Sequence, residues 1–159
     1  MKRPATPLHF VRTTLRAGVV AATALLQACM SILHAPDGAT YTSADRARTA
    51  LVQNGRVVVD GRPEPPQFDG ISNVGVKFSR DGRRVAYVGM RGSQRYLVVD
   101  GREFGPFESV SKAGVSISPA GRHVALPLVN GGRWHLWLNG ELTRPFDGIA
   151  IGHPVFSDD

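Results

Sequence analysis

Acidic residues recur at regular intervals along the chain, and a ring of carboxylates could bind a metal ion or exchange protons with a substrate. The residues form three series: Asp45, Asp81 and Asp158; Asp60, Asp100 and Asn139; Asp69, Glu108 and Asp147. The first two series occupy turn-like positions, where Asp and Asn bond their own backbone and tolerate positive φ. We therefore predict turn residues in these two series. For the third series we predict turn or surface positions, with a shared binding rim as the alternative.

Histidines are the next candidates for chemistry. His123, His135 and His153 do not share the spacing of metal ligands and have no cysteine companions. His135 alternates with Trp134 and Trp137 in a strand-like segment, which indicates a structural position. The sequence thus predicts neither a metal site nor a cofactor.

The evidence for a catalytic nucleophile, or for aromatic residues that stack on a ligand, is equally weak. The segment GVSIS at 114–118 resembles a glycine–serine nucleophile motif only superficially, and phosphate-loop and dinucleotide fingerprints are missing. Tyr96, Trp134 and Trp137 could stack on a base or a sugar, but strand positions favour packing between structural units. We therefore expect a protein that is not an enzyme.

The N-terminus has the pattern of an export signal. Four basic residues and no acidic ones precede the apolar run 17–28. The run is shorter than the roughly 20 residues that span a bilayer. We predict an export signal over 1–28 and a linker over 29–38, with an uncleaved membrane anchor as the alternative.

The single cysteine, Cys29, directly follows this run in the segment LLQAC. The segment resembles a bacterial lipobox: Leu26 and Ala28 fit, whereas Gln27 departs from the pattern. The resemblance implies lipidation of Cys29 and a periplasmic or membrane-anchored lipoprotein. The alternative is a cysteine that is removed with the signal.

The positive charge of the chain is concentrated at this N-terminus. The formal charge is +6, and without the four basic residues of the signal 15 basic residues face 13 acidic ones. The remaining arginines recur beside turns, as at Arg83 and Arg122. This distribution favours solvated arginines over a nucleic-acid-binding stripe.

The turns belong to a repeat. FSRDGRRVAYV at 78–88 returns as ISPAGRHVALP at 117–127 and begins again as FSDD at 156–159. Phe78, Ile117 and Phe156 are 39 residues apart, as are the three phenylalanines Phe68, Phe107 and Phe146. A period of this length predicts a modular array.

Each unit reads as four antiparallel strands joined by tight turns. Strands are predicted at 74–79, 83–90, 95–100 and 102–108, and in the next unit at 114–118, 122–129, 133–138 and 141–146. A degenerate copy, TSADRARTALV at 42–52, replaces the turn glycine by Arg46. Pro106 suits an edge strand.

These motifs resemble the FSPDG-type repeats of TolB-like and WD-repeat-like bacterial β-propellers. The resemblance implies an all-β fold, a partial β-propeller of about three four-stranded blades plus the first strand of a fourth, after an N-terminal signal helix. The predicted repeats cover 39–71, 72–111, 112–151 and 152–159, the last one truncated.

From this we expect a non-catalytic exported binding or scaffold protein of the bacterial cell envelope. Its partner would be a protein, a peptide or an envelope glycan, with membrane attachment through the lipid anchor, no nucleic acid, and self-association if the propeller is incomplete. The alternatives are an accessory propeller of a larger enzyme such as a peptidase, and a truncated copy without function.

Overall fold

The structure is a computed structural model that describes residues 34–149 and 154–157. Fourteen strands and no helix lie within these residues, so the described part contains no helix that could cross a membrane. The predicted signal at 1–28, the lipidation site Cys29, His153 and Asp158 lie outside the described residues.

The first sheet is a meander of four antiparallel strands. These are β1 (Thr40–Thr42), β2 (Thr49–Gln53), β3 (Arg56–Val59) and β4 (Arg62–Pro63), hydrogen-bonded in chain order. Tight turns join β2 to β3 and β3 to β4, because Asn54–Gly55 and Asp60–Gly61 each supply two successive residues with positive φ. Upstream, the Ala35 N–H donates to the Ile71 carbonyl at 2.7 Å, so part of the predicted linker pairs with the second sheet.

The second and third sheets repeat this meander with longer central strands. The second contains β5 (Gly70–Ile71), β6 (Lys77–Phe78), β7 (Val85–Arg91), β8 (Gln94–Val99) and β9 (Arg102–Phe107). The third contains β10 (Ser109–Val110), β11 (Ser116–Ile117), β12 (Val124–Asn130), β13 (Arg133–Leu138) and β14 (Glu141–Leu142). Pro106 lies in β9, an edge strand of the second sheet.

The first strand of these two sheets differs from the prediction, because a turn divides it. Both β5 and β6 pair with β7, and both β10 and β11 pair with β12. Between the two pieces, the Gly75 N–H bonds the Ser72 carbonyl at 3.0 Å and the Gly114 N–H bonds the Ser111 carbonyl at 2.9 Å. Gly75 and Gly114 have positive φ, which breaks the extended conformation.

The degenerate upstream copy takes the same register as the two clear copies. Thr42 pairs with Thr49 in the first sheet, as Phe78 pairs with Val85 in the second. Ile117 and Val124 form the corresponding pair in the third sheet. The gapless sequence alignment of 42–52 to 78–88 is therefore also a structural alignment.

The sheets pack face to face, and the middle sheet is buried on both faces. Alternate residues of its central strands face opposite sides, so Tyr87 and Val98 join the core shared with the first sheet. Val88 and Leu97 join the core shared with the third sheet. Consecutive antiparallel meanders stacked in this way are blades of a β-propeller, and the predicted all-β fold class is confirmed.

The segment Pro154–Ser157, predicted as the first strand of a fourth unit, has no strand assignment among the described residues. The Phe156 ring nevertheless stacks on His123, with centroids 6.1 Å apart. In the first two sheets the corresponding contact joins Arg48 to the Phe78 ring at 5.6 Å.

Candidate functional site

The first acidic series lies in the turns between the first and second strands, here called the turn cassettes (Ser43–Arg48, Ser79–Arg84 and Ser118–His123). The buried Ser79 hydroxyl donates to Asp81 at 2.6 Å and accepts the Arg84 N–H at 3.0 Å. The Ser79 hydroxyl and the Arg83 N–H hold the pKa of Asp81 below its usual value. Asp45 is bonded in the same way, with the same effect on its pKa. These carboxylates are turn residues, as predicted.

The second series lies in the hairpin turns at the same end of the sheets. Asp60, Asp100 and Asn139 all have φ near +50°. Each side-chain oxygen accepts a backbone N–H of the neighbouring strand, as Asp100 does from Val85 at 2.9 Å and Asn139 from Val124 at 2.9 Å. The Thr49 N–H, followed by the Arg48 guanidinium, lowers the pKa of Asp60.

The partners of the second series change together along the chain. Arg48 forms an ion pair with Asp60, and Arg84 forms one with Asp100. In the third sheet His123 replaces the arginine and Asn139 replaces the aspartate, and their side chains lie 2.8 Å apart. The Asn139 amide nitrogen donates to Nδ1 of His123, so the direction of the hydrogen bond is reversed and the charge pair is lost.

The same arginines connect neighbouring blades. Arg48 donates to the Gly82 carbonyl at 2.9 Å, and Arg84 donates to the Gly121 carbonyl at 3.1 Å. One guanidinium therefore binds the aspartate of its own sheet and the turn cassette of the next sheet.

The third acidic series lies at the opposite end, beside the hairpins of the second and third strands. Asp69 accepts the Gly92 N–H at 2.7 Å. Glu108 accepts the N–H groups of Gly131 and Gly132 at 2.9 and 3.0 Å. Asp147 pairs with Arg133 and is fully exposed. The predicted turn or surface positions hold for this series as well.

His123 and His135, the two candidate histidines that the structure describes, hold structural positions. The His135 ring contacts the Thr143 carbonyl at 2.9 Å, and His123 lies between Asn139 and Phe156. Within 34–149 and 154–157, no three His, Cys, Asp or Glu side chains are grouped as metal ligands.

The aromatic candidates pack between sheets or within them. Trp137 is buried, and its ring meets the Phe104 ring edge to face at 4.8 Å. Tyr96 lies against Phe68 at 5.9 Å. Trp134 lies on the other face of the third sheet, opposite Val129. Packing, the favoured interpretation, describes Tyr96 and Trp137, whereas Trp134 is only half-buried.

A groove between the second and third sheets combines charge with an aromatic floor. This arginine groove has a volume of about 500 Å³. Its floor contains Val99, Phe104, Val124 and Trp137, and its rim contains Arg84, Asp100, Arg102, Arg122 and Asn139. Asp100 is engaged by Arg84. Arg102 lies over the Phe104 ring at 5.0 Å, and neither Arg102 nor Arg122 has an ion-pair partner among the described residues.

A smaller groove lies at the equivalent place one repeat earlier. This glutamate groove, of about 370 Å³, is lined by Arg48, Val59, Asp60, Arg62, Pro63 and Glu64. Its lining contains two arginines and two carboxylates, whereas the arginine groove has three arginines and one carboxylate. The chain therefore contains two versions of one groove with different electrostatic balance.

Glu64 enters the space between the first two sheets. Its Oε2 atom is buried, and burial raises the pKa of this carboxyl, followed by the charge of Asp100. A Cβ atom on Gly101 would lie 2.8 Å from Oε2, so the side chain reaches the hairpin of the next sheet. Nearby, burial raises the pKa of Tyr87, and the Glu64 charge adds to this effect.

The sequence predicted neither groove. Of the residues that line them, it singled out only Trp137, Arg122 and the turn residues. The signal that could have found them is the repeat itself. Arg62 and Arg102 follow equivalent Asp–Gly turns, and Glu64 and Phe104 occur at the same step behind them. Strand alternation places both of these side chains toward the next sheet.

Comparison with known proteins gives a weak structural likeness. No protein-family model matches the chain, and no curated protein is significantly similar to it. A solved structure that resembles it is the β-propeller domain of Cps50 (Swd1) from Myceliophteria thermophila, with 16% identity and a TM-score of 0.46. The match covers 94% of this chain and 51% of the other, so the chain spans about half the length of that structure.

Proposed function

We propose that the chain is a non-catalytic binding or scaffold protein of TolB-like type, exported to the bacterial cell envelope. The observation that carries this proposal is the arginine groove, a concave site whose two unpaired guanidiniums stand on a rigid two-sheet framework. Concave sites with an apolar floor and a few polar groups are the usual form of binding sites. The partner is a protein or peptide, and an envelope glycan is the alternative ligand.

A binding role agrees with how the acidic residues are used. The carboxylates of Asp81, Asp100 and Glu108 accept hydrogen bonds from their own turns and strands. Such engagement stabilises hairpins and leaves the groups poorly placed to exchange protons with a substrate. We therefore propose no catalytic residue.

Site-specific cross-linking tests the binding role. A photoreactive phenylalanine analogue in place of Phe104 should capture an envelope protein in intact cells, because Phe104 lies in the floor of the arginine groove and the guanidiniums of the rim are retained. The matched control is the same analogue in place of Glu64, at the equivalent position of the glutamate groove. Equal capture at both positions, or none at position 104, would contradict the proposal.

Export and anchoring are separate proposals that rest on the basic N-terminus, the apolar run and Cys29. Palmitate should label the wild-type protein but not a Cys29→Ser variant, and the wild type should fractionate with membranes. Equal labelling of both proteins would reject the lipid anchor without affecting the groove.

A second candidate is an accessory propeller of a larger enzyme such as a peptidase. The outer face of the third sheet favours it, because Trp134, Leu136 and Leu138 are only half-buried there and could pack against another blade. An open reading frame downstream that encodes further blades and a nucleophile motif would support this candidate.

The remaining alternative is a truncated copy without function. A well-folded oligomer of defined size in size-exclusion chromatography would count against it.

A further inference from the structure

The two grooves are the same site at successive repeats. Arg48, Asp60 and Arg62 of the glutamate groove correspond to Arg84, Asp100 and Arg102 of the arginine groove. Both paired arginines also donate to the next turn cassette, so the walls of the two grooves are held in the same way. Differences between the grooves therefore come from the side chains that enter them.

In the glutamate groove, the chain supplies its own occupant. Residues 62–66, Arg-Pro-Glu-Pro-Pro, leave the Asp60–Gly61 turn, and Glu64 directs its carboxylate toward the hairpin of the second sheet. The Glu64 N–H bonds the Val57 carbonyl at 2.8 Å, which holds this segment against β3. Glu64 therefore fills this groove, although its Oε2 atom has no hydrogen-bond partner and no ion pair joins the carboxyl to an arginine among the described residues.

In the arginine groove, the corresponding carboxylate is missing from the lining. Phe104 takes the place of Glu64 and lies against Trp137, 4.8 Å away, under the Arg102 guanidinium. The groove is larger, about 500 Å³ against about 370 Å³, and Arg122 adds a further positive charge. Space and charge are both left for an acidic group from outside.

We propose that the arginine groove binds an acidic, extended segment of a partner protein. Carboxylates of that segment pair with Arg102 and Arg122, and its apolar part packs on Phe104. This inference rests on the proposed binding function and specifies the chemistry of the ligand. Charge-assisted hydrogen bonds from guanidinium to carboxylate provide the specificity.

A synthetic peptide tests the inference directly. The probe is acetyl-Pro-Glu-Pro-Glu-Pro-amide, and the control peptide carries Gln in place of both Glu residues. The chain contains two tryptophans, Trp134 and Trp137. In the full chain that carries Trp134→Phe, Trp137 is therefore the single tryptophan. Its fluorescence then reports on the floor of the arginine groove, and binding should weaken with rising salt.

We expect the acidic peptide to bind about tenfold more tightly than the Gln peptide. Arg102→Gln should raise the Kd of the acidic peptide by about tenfold. The matched variants Arg62→Gln and Arg83→Gln, at the equivalent positions one repeat earlier, should leave affinity unchanged. Circular dichroism of each variant identifies any loss of folding.

The outcomes separate this inference from the proposed function. Equal binding of both peptides with the same dependence on Arg102 would overturn the acidic preference and leave the groove as a binding site. Binding of neither peptide would also overturn it, while cross-linking at position 104 still tests the function independently. Tighter binding of a DNA oligonucleotide, lost in Arg102→Gln, would assign the groove to a nucleic acid instead.

Discussion

At the residue scale, the recurring serine and aspartate of the turn cassettes act as one unit. The serine hydroxyl bridges the aspartate and a backbone N–H five residues along the chain. In the third copy Ala120 replaces the aspartate, and Ser118 retains only the bond from the His123 N–H, at 2.9 Å. The chain therefore contains a natural comparison between a complete and a reduced cassette.

We expect Ser118→Ala to lower the free energy of unfolding by about 1 kcal/mol, the usual net value of one hydrogen bond. Ser79→Ala should cost more, because it also removes the donor to Asp81. Urea unfolding of both variants measures the difference. Since the pKa of Asp81 is lowered in the folded state, its contribution is present above the unfolded pKa and declines as the pH falls. Equal losses for the two variants at neutral pH would contradict this account.

Among the three turn cassettes, only the first has a side chain at a positive φ. Arg46 has φ of 60°, whereas the equivalent residues of the other cassettes are Gly82 and Gly121, with φ of 67° and 69°. A side chain in the left-handed region costs roughly 1–2 kcal/mol, partly offset by the greater entropy that glycine gives the unfolded chain.

Arg46→Gly should therefore raise the free energy of unfolding by about 0.5–1 kcal/mol. The reciprocal control is Gly82→Ala, which should destabilise, since the nearest atoms to an added Cβ lie 3.6 Å away and only φ strain is introduced. Thermal unfolding measures both variants. A stabilising Gly82→Ala would refute the argument from strain.

At the scale of elements, the fourth-strand regions of the first two sheets each place one side chain between their own sheet and the next. Phe104 of β9 meets the aromatic Trp137 at 4.8 Å. At the equivalent place Glu64 brings a carboxylate into a partly apolar environment, which disfavours its charged form. Glu64 is therefore expected to reduce stability when it is ionised.

Glu64→Gln should raise the stability at about pH 7 and have little effect at about pH 3, where the carboxyl is protonated in both states. The sign follows from the raised folded pKa: the folded state favours the proton, so the penalty is absent below the unfolded pKa and complete above the folded pKa. Urea midpoints at both pH values measure it. The exposed Glu141→Gln serves as control, and a stability gain of Glu64→Gln that persists at the acidic pH would contradict the prediction.

At the scale of the whole molecule, burial differs between the three blades. The second sheet is covered on both faces by its neighbours. The third sheet is covered on one face, and on its other face Phe146, paired with Trp134, is 44% accessible. Apolar surface of this kind favours association.

We expect the described part of the chain to self-associate through the outer face of the third sheet. Leu136→Glu should shift the association to higher protein concentration, by about tenfold or more, because it buries a charge in the contact. Sedimentation velocity measures the shift, and Lys112→Glu, on an exposed turn, is the control. An identical concentration dependence for wild type and Leu136→Glu would exclude this face.

Much of this organisation could be predicted from the sequence because turn chemistry is local. Asp100 and Gly101 define their hairpin with two adjacent residues, and the apolar run 85–90, bounded by turn residues, defines a strand. The division of the first strand was missed, since it depends on Gly75 and on pairing with both halves of β7. The arginine groove was also missed, because its walls come from two different sheets, as Phe104 and Trp137 do.

The sequence alone determined the period of the array, the order of strands within each unit and the turn role of the recurring aspartates, since all three depend on neighbours along the chain. Only the tertiary structure decided that Arg84 joins two blades, that Glu64 occupies one groove, and that the next groove retains unpaired arginines. Those properties arise from packing one sheet on another, where a single change from Glu64 to its counterpart Phe104 alters both space and charge.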